Sequence, residues 1–195
     1  GINVGVGRFV VDSYHEMEIL NKLARKAGKK ADILLRIAPG IEAHTHEYVE
    51  TGMLDSKFGF GLSNGEALKA SAKAISLGNL NLLGFHSHIG SQILDLKGPV
   101  EAAKRMIQFI FQVKDKLGFI TRELDPGGGL GILDQGQENP PEIESYLSTI
   151  TDTVLKHCSN LGLELPKLLI EPGRSIVGEA GLTLYKAGAV KHIPG

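Results

Sequence analysis

Leu80-Asn81-Leu82-Leu83-Gly84-Phe85-His86 reads as a β-strand, and Ser87-His88-Ile89-Gly90-Ser91 closes it with polar and glycine residues. The same arrangement, an apolar run ending in a polar cluster flanked by glycine, recurs at Arg36-Ile37-Ala38-Pro39-Gly40, Asp125-Pro126-Gly127-Gly128-Gly129 and Glu171-Pro172-Gly173-Arg174. In α/β barrels the chemical groups project from the carboxyl ends of several parallel strands. Successive strand ends rich in His, Glu, Arg and Gly therefore read as chemistry rather than packing.

Helical signals fill the intervals. Arg8–Asp12 reads as a strand, Ser13-Tyr14-His15-Glu16 as a capping box, and Met17, Leu20, Leu23 and Ala24 as one helix face that Gly28 stops. Ala31–Ile37 is apolar enough for a parallel strand buried on both faces. After a long loop over residues 38 to 62, Ser63-Asn64-Gly65-Glu66 reads as a second capping box, opening a helix that ends at Gly78. A third helix is expected over Val100–Leu117, a short strand over Arg122–Asp125, and a polar loop from 130 to 141. A helix over Glu142–Asn160, a strand over Lys167–Glu171 and a more extended stretch over Leu182–Val190 complete the chain. Alternation of this kind implies a parallel sheet with right-handed crossovers, doubly wound or a barrel. A closed barrel needs eight strands and roughly 250 residues, whereas about five strands fit here, so residues 1–195 are expected to form one domain that is part of a barrel.

Composition narrows the function classes. Of 195 residues, 42% are hydrophobic and 22% charged, as in soluble globular proteins, and 21 basic residues balance 22 acidic ones with no basic run longer than Lys29-Lys30. That leaves no electrostatic footprint for nucleic acid or an anionic membrane. The longest apolar stretch, around Met106–Val113, is broken by Gln108 and Gln112 and falls short of the roughly 20 residues a bilayer span requires. No signal peptide is visible. The single Cys158 cannot form an internal disulfide, which suits a reducing cytoplasm, and in a helix it reads as a small core residue.

The triplet Gly127-Gly128-Gly129 after a strand can expose several backbone N–H groups in one concavity, an anion nest suited to phosphate; otherwise it is a flexible turn. It is a poor match to a dinucleotide fingerprint, since no helix starts after Gly131. His86 and His88, two apart, point to one side of a strand. They read as a metal pair, as one ring aimed into the barrel mouth with Gly90-Ser91 offering donors to a phosphate, or as core histidines. His44 and His46 form a similar pair in a polar loop. Glu171, after Leu168-Leu169-Ile170, is expected to be partly buried and to need a partner, with Arg174 three residues on across a Pro-Gly turn.

Four stretches, LLRIAPGIEAHTHEYVETGMLDSKFGFG, GFHSHIGSQI, DPGGGLGI and IEPGRSIVG, together resemble the alanine-racemase-like barrel decarboxylases that use pyridoxal 5′-phosphate, and most closely the diaminopimelate branch. Thr45-His46, Thr51-Gly52 and Lys57-Phe58-Gly59 favour that branch over ornithine decarboxylases. The resemblance implies an α/β fold, a partial TIM barrel of the alanine-racemase-like type. It implies decarboxylation of meso-2,6-diaminopimelate to L-lysine by a homodimer. His88 then stacks on the cofactor ring with His86 in support. Ser91, Gly128, Gly129, Pro172, Gly173 and Arg174 surround the phosphate, and Glu171 pairs with the ring nitrogen. Arg174 is also suited to a substrate carboxylate.

Members of the family anchor the cofactor on a lysine in a Tyr-x-x-Lys-like segment of the first barrel strand and carry a carboxyl-terminal β-domain. Neither is found here: Lys57, Lys97 and Lys186 stand in other contexts. The chain is thus expected to be the central and carboxyl-terminal part of the barrel without the first strands, and inactive alone. Rival readings are a decarboxylase of ornithine, lysine, arginine or carboxynorspermidine, a metal-dependent barrel hydrolase using His86, His88 and Glu171, and a cofactor-binding fragment without catalysis. The preferred reading assigns no metal ligand.

Overall fold

A computed structural model describes residues 1–41, 57–133 and 139–192. The elements in order are β1 (Phe9–Val11), α1 (Tyr14–Lys26), β2 (Ala31–Ala38), β3 (Phe60–Gly61), α2 (Glu66–Ser76) and β4 (Leu80–Ser87). They continue with α3 (Lys97–Leu117), β5 (Glu123–Asp125), α4 (Ile143–Asn160), β6 (Lys167–Leu168) and α5 (Gly173–Val177). Every strand pairing is parallel, in the order β1-β2-β4-β5-β6, with β3 beside the end of β2. This is an α/β sheet forming an arc of a (β/α) barrel.

The first capping box forms with one change. Ser13 Oγ accepts the Glu16 N–H at 3.2 Å, while the Glu16 carboxylate accepts the N–H of Asp12, at 2.7 Å, rather than that of Ser13. Gly28, at φ +63°, ends α1 with the N–H of Lys29 returning to the Ala24 carbonyl. The second box does not form. Gly65 takes a left-handed conformation that carries Ser63 away from the helix start, and Asn64 Oδ1 accepts the Glu66 N–H instead. The Glu66 carboxylate turns outward to Lys69 and the Tyr14 hydroxyl, and α2 stops at Ser76, short of Gly78.

Other expectations also need correction. Part of the supposed loop over 38 to 62 is strand, since Phe60 and Gly61 pair with Ile37 and Ala38. The last strand is only Lys167–Leu168, and Gly173–Val177, read as part of a rigid turn, is a short helix. Leu182–Val190 has no regular structure. His44, His46, Thr45, Thr51 and Gly52 lie outside the described residues.

The sheet has an apolar and a polar side. Ile33, Leu35, Ile37, Leu80, Leu82, Phe85 and Leu124 face the helices, where Met17, Ala67, Ala70, Met106, Ile107, Ile110, Val113, Ile150 and Cys158 complete the main core. Phe85 meets the edge of Phe109 at 4.9 Å between centroids. On the other side, register aligns Leu34, Gly84 and Glu123 in one row and Arg36, His86 and Asp125 in the next. Between Ile33 and Leu34 the register slips by one, leaving Leu83 as the extra residue of β4. The guanidinium of Arg8 donates through Nε and Nη2 to both oxygens of the buried Glu123 carboxylate, joining the β1 end of the arc to β5 across β2 and β4. The arginine holds the Glu123 carboxyl below its ordinary range.

Gly84 makes this approach possible, because a Cβ there would lie 1.7 Å from the Glu123 carbonyl oxygen. Backbone cannot yield as a side-chain tip does, so Gly84→Ala is expected to destabilise the fold by about 3 kcal/mol, measured by urea unfolding against wild type.

Candidate cofactor site

Four strand ends converge at the carboxyl rim of the sheet. Arg36 (β2), His86 (β4) and Asp125 (β5) stand side by side in register, and an isolated parallel bridge between Gly128 and Glu171 continues the sheet past its regular strands. The Glu171 N–H donates to the Gly127 carbonyl at 3.0 Å. The glycines are required by contact rather than by looseness. A Cβ at Gly127 would lie 2.3 Å from the Ser87 carbonyl oxygen, at Gly128 1.8 Å from that of Glu171, and at Gly129 2.2 Å from that of Gly90. Gly127 and Gly129 also have φ of +83° and +100°. The triplet is therefore a shaped cradle and not a flexible turn.

Beside that cradle, Arg174 donates from Nε and Nη2 to Ser91 Oγ, at 3.1 and 2.9 Å. This brings together a hydroxyl and a guanidinium from segments 83 residues apart, the donor types a phosphate dianion uses. His86 Nε2 lies 3.3 Å from Glu171 Oε2 while its Nδ1 is buried without a hydrogen-bond partner. That pattern puts the proton of a neutral ring on Nε2, donating to the carboxylate. Burial lowers the pKa of His86 and outweighs the pull of Glu171 in the other direction. His88 is also held below its usual pKa, by burial and then by the positive charge of Arg36, and its Nδ1 too is buried and unpartnered. A neutral imidazole suits a face-to-face contact with an aromatic ring.

Glu171 departs from expectation. Its side chain is 51% exposed, because β6 is an edge strand two residues long, and Leu168, Leu169 and Ile170 are themselves only half-buried. The hydrolase ligand set His86, His88 and Glu171 is not what assembles. The group whose donor atoms lie within 4.8 Å of one another, among the described residues, is His86, Asp125 and Glu171.

Asp125 was assigned no role from sequence. It is 4% exposed, its Oδ1 accepts the Gly127 N–H at 2.8 Å, and burial followed by the neighbouring charges of Glu171 and Glu123 pushes its pKa up to about 6. The signal available was its position, one residue after the buried Leu124 and directly before the cradle. Arg36, in the sequence simply the charged member of a strand end, lies 3.6 Å from Asp12 and 4.5 Å above the Phe58 ring. Cys158 is buried in the core as expected, and burial raises its pKa.

A group with phosphate at one end and a protonated ring nitrogen at the other matches this arrangement. The glycine cradle and the Ser91–Arg174 pair suit the phosphate, the carboxylate of Glu171 suits the nitrogen, and His88, whose buried Nδ1 has no hydrogen-bond partner, lies beside Gly127.

The chain belongs to the pyridoxal-dependent decarboxylases: the pyridoxal binding domain of that family matches residues 2–178. Within it, the chain is 42% identical to the diaminopimelate decarboxylase of Bacillus subtilis (strain 168), over 97% of its own length and 43% of that protein. It is 43% identical to that of Staphylococcus aureus (strain COL), with the same coverage. The structure of M. jannaschii diaminopimelate decarboxylase in complex with L-lysine superposes with a TM-score of 0.80 at 33% identity, covering 90% of this chain and 40% of that one. The chain thus spans less than half the length of the curated relatives it matches. The family supports pyridoxal 5′-phosphate as the cofactor and the partial barrel as the fold.

Burial gives Asp125 an unusual pH signature. Its ordinary pKa is 3.8, so between that value and about 6 the folded chain keeps a proton that the unfolded chain has released. Stability from this group therefore falls as pH rises through that window and is level above it. Asp125→Asn preserves the acceptor for the Gly127 N–H and removes the titration. Relative to wild type, the variant should gain on the order of 1–3 kcal/mol at pH 7.5 and nothing at pH 3.5, read by urea unfolding at both values. An equal difference at both would refute the assignment.

Proposed function

We propose that this chain is the cofactor-holding part of an enzyme that decarboxylates meso-2,6-diaminopimelate to L-lysine with pyridoxal 5′-phosphate. The observation that carries the reading is the convergence of Glu171 on His86 beside a glycine cradle flanked by Ser91 and Arg174. It occurs in a chain 42–43% identical to diaminopimelate decarboxylases.

When bound, the cofactor supplies an electron-accepting ring that delocalises the charge left as carbon dioxide departs. The protein's part is positional and electrostatic. Ser91, Arg174 and the backbone of Gly128 and Gly129 bind the phosphate, with Pro172 and Gly173 shaping the turn that presents Arg174. Glu171 holds a proton at the ring nitrogen, and a protonated ring is the stronger electron sink. The Nε2–H of His86 orients the Glu171 carboxylate and, being neutral, does not compete for that proton. His88 would lie against the ring face. The guanidinium of Arg174 is also suited to a substrate carboxylate. No metal takes part in this reading, although His86, Asp125 and Glu171 offer donor atoms close together.

We infer further that the working enzyme is a cytoplasmic homodimer and that residues 1–195 are one domain. The unpaired, buried Cys158 favours a reducing compartment. Exposed Leu182, Leu184, Tyr185 and Val190 and the outer edges of β1 and β6 offer surface for association.

Decarboxylation assays of the native gene product, comparing meso-2,6-diaminopimelate with ornithine, lysine, arginine and carboxynorspermidine, test the substrate; preference for any other amine refutes this one. In that enzyme Glu171→Gln should lower kcat by roughly two or more orders of magnitude, about 3 kcal/mol in the barrier, with cofactor retained. Near-normal turnover, or a defect confined to cofactor loss, would show a different role. For residues 1–195 alone, borohydride reduction with the cofactor should mark no single lysine; stoichiometric labelling at one site would identify an anchor.

A further inference from the structure

Among the described residues, four hydrogen bonds join the loop after β4 to the glycine loop after β5. Ile93 N–H donates to the Gly129 carbonyl at 2.8 Å and Gly131 N–H to the Ile93 carbonyl at 3.0 Å. The other two come from one side chain, as Gln92 Nε2 donates to the Ile132 carbonyl at 2.5 Å while its Oε1 accepts the Ile132 N–H at 3.3 Å. A primary amide of this length thus satisfies both backbone groups of a single residue, as a paired strand would. Aspartate and asparagine are shorter by one carbon, glutamate lacks the donor, and leucine or methionine lacks both functions.

The backbone of Gln92 is equally particular. Its φ is +57°, and among the described residues it is the non-glycine residue with positive φ. An L-residue stays in that region when its surroundings determine it, and such positions concentrate at binding sites. The constraint lies where donors are collected. Ser91, which receives Arg174, immediately precedes Gln92. Gly129 sits opposite, so close to the other loop that a Cβ would lie 2.2 Å from the Gly90 carbonyl oxygen and 2.8 Å from Ile93 Cδ1.

We propose that Gln92 is a positioning residue for the phosphate end of the cofactor, its amide holding the Ser91 loop and the Gly129 loop at a fixed separation. The anion then meets donors already in place, and the ordering cost falls on folding rather than on binding. This rests on reading Ser91, Gly129 and Arg174 as the phosphate site. Gln92 acts through its neighbours and need not touch the ligand.

The test compares three probes, pyridoxal 5′-phosphate, pyridoxal and inorganic phosphate, by titration calorimetry on wild type, Gln92→Ala and Gln92→Gly. The glycine variant accepts the left-handed backbone without strain but lacks the clamp, so it separates the amide's role from that of φ. Both variants should bind pyridoxal 5′-phosphate and inorganic phosphate about tenfold more weakly while pyridoxal affinity stays unchanged. Thermal unfolding of the glycine variant near the wild-type temperature guards against global loss of structure. Unchanged phosphate affinity in Gln92→Gly, or equal losses for pyridoxal and its phosphate, would overturn the inference. Wild-type protein that binds the two vitamers equally would overturn the phosphate reading itself, and the inference with it.

Discussion

Backbone meeting backbone with no side chain between is the constraint on which this molecule depends. At Gly84, Gly127, Gly128 and Gly129 a single added carbon would sit within 2.3 Å of a carbonyl oxygen on the neighbouring segment. Those four contacts draw β5 against β4, bring the exit of β5 to Glu171, and press the cradle onto the loop that carries Ser91. Donors from separate segments reach one another because the main chains have nothing between them. Packing in the helical layer is more tolerant, being built of many small contacts among Ala, Leu, Ile, Val and Met.

Electrostatics follows from that closeness. Arg8 supplies the charge that lets Glu123 stay ionised while buried, so the cost of one buried carboxylate is offset within the sheet. Asp125, one row further toward the rim, has a backbone N–H but no guanidinium in hydrogen-bond contact, and its pKa rises to about 6. Glu171, at the edge, remains open to water. Glu123 and Asp125, on successive rows, thus shift in opposite directions because their partners differ, and Glu171 is the exposed carboxylate of the three.

Much of this was legible in the sequence, and the failures are instructive. Ala31–Ile37 and Leu80–His86 announced themselves because a strand covered on both faces must be apolar throughout. The capping box at Ser13 half formed: its hydroxyl takes the Glu16 N–H, while the Glu16 carboxylate takes the Asp12 N–H. The one at Ser63 failed because Gly65 could turn left-handed and Glu66 had Tyr14 and Lys69 to bind, partners 52 and 3 residues away. Local signals cannot weigh such offers. The strand ends carrying His88, Ser91, the glycine triplet and Arg174 were visible as clusters, but which side chains meet was not. That Asp125 joins His86 depends on the register of β4 against β5, and that Gln92 clasps Ile132, 40 residues on, depends on two loops crossing.

The extra residue at Leu83 gives β4 a change of phase. Ahead of it the even-numbered positions Leu80 and Leu82 lie in the hydrophobic layer; beyond it that layer takes odd-numbered Phe85, and even-numbered Gly84 and His86 turn to the polar side. The strand is therefore written in two frames joined at one residue. Because β2 has no residue opposite Leu83, its loss would let the alternation run on from Leu82 to Gly84 with Phe85 still among the helices and His86 still toward the rim, whereas loss of the paired Gly84 would move Phe85 to the polar side and His86 into the hydrophobic layer. Selection for packing and selection for chemistry act on alternate letters of the same strand, and Leu83 is where the letters change hands.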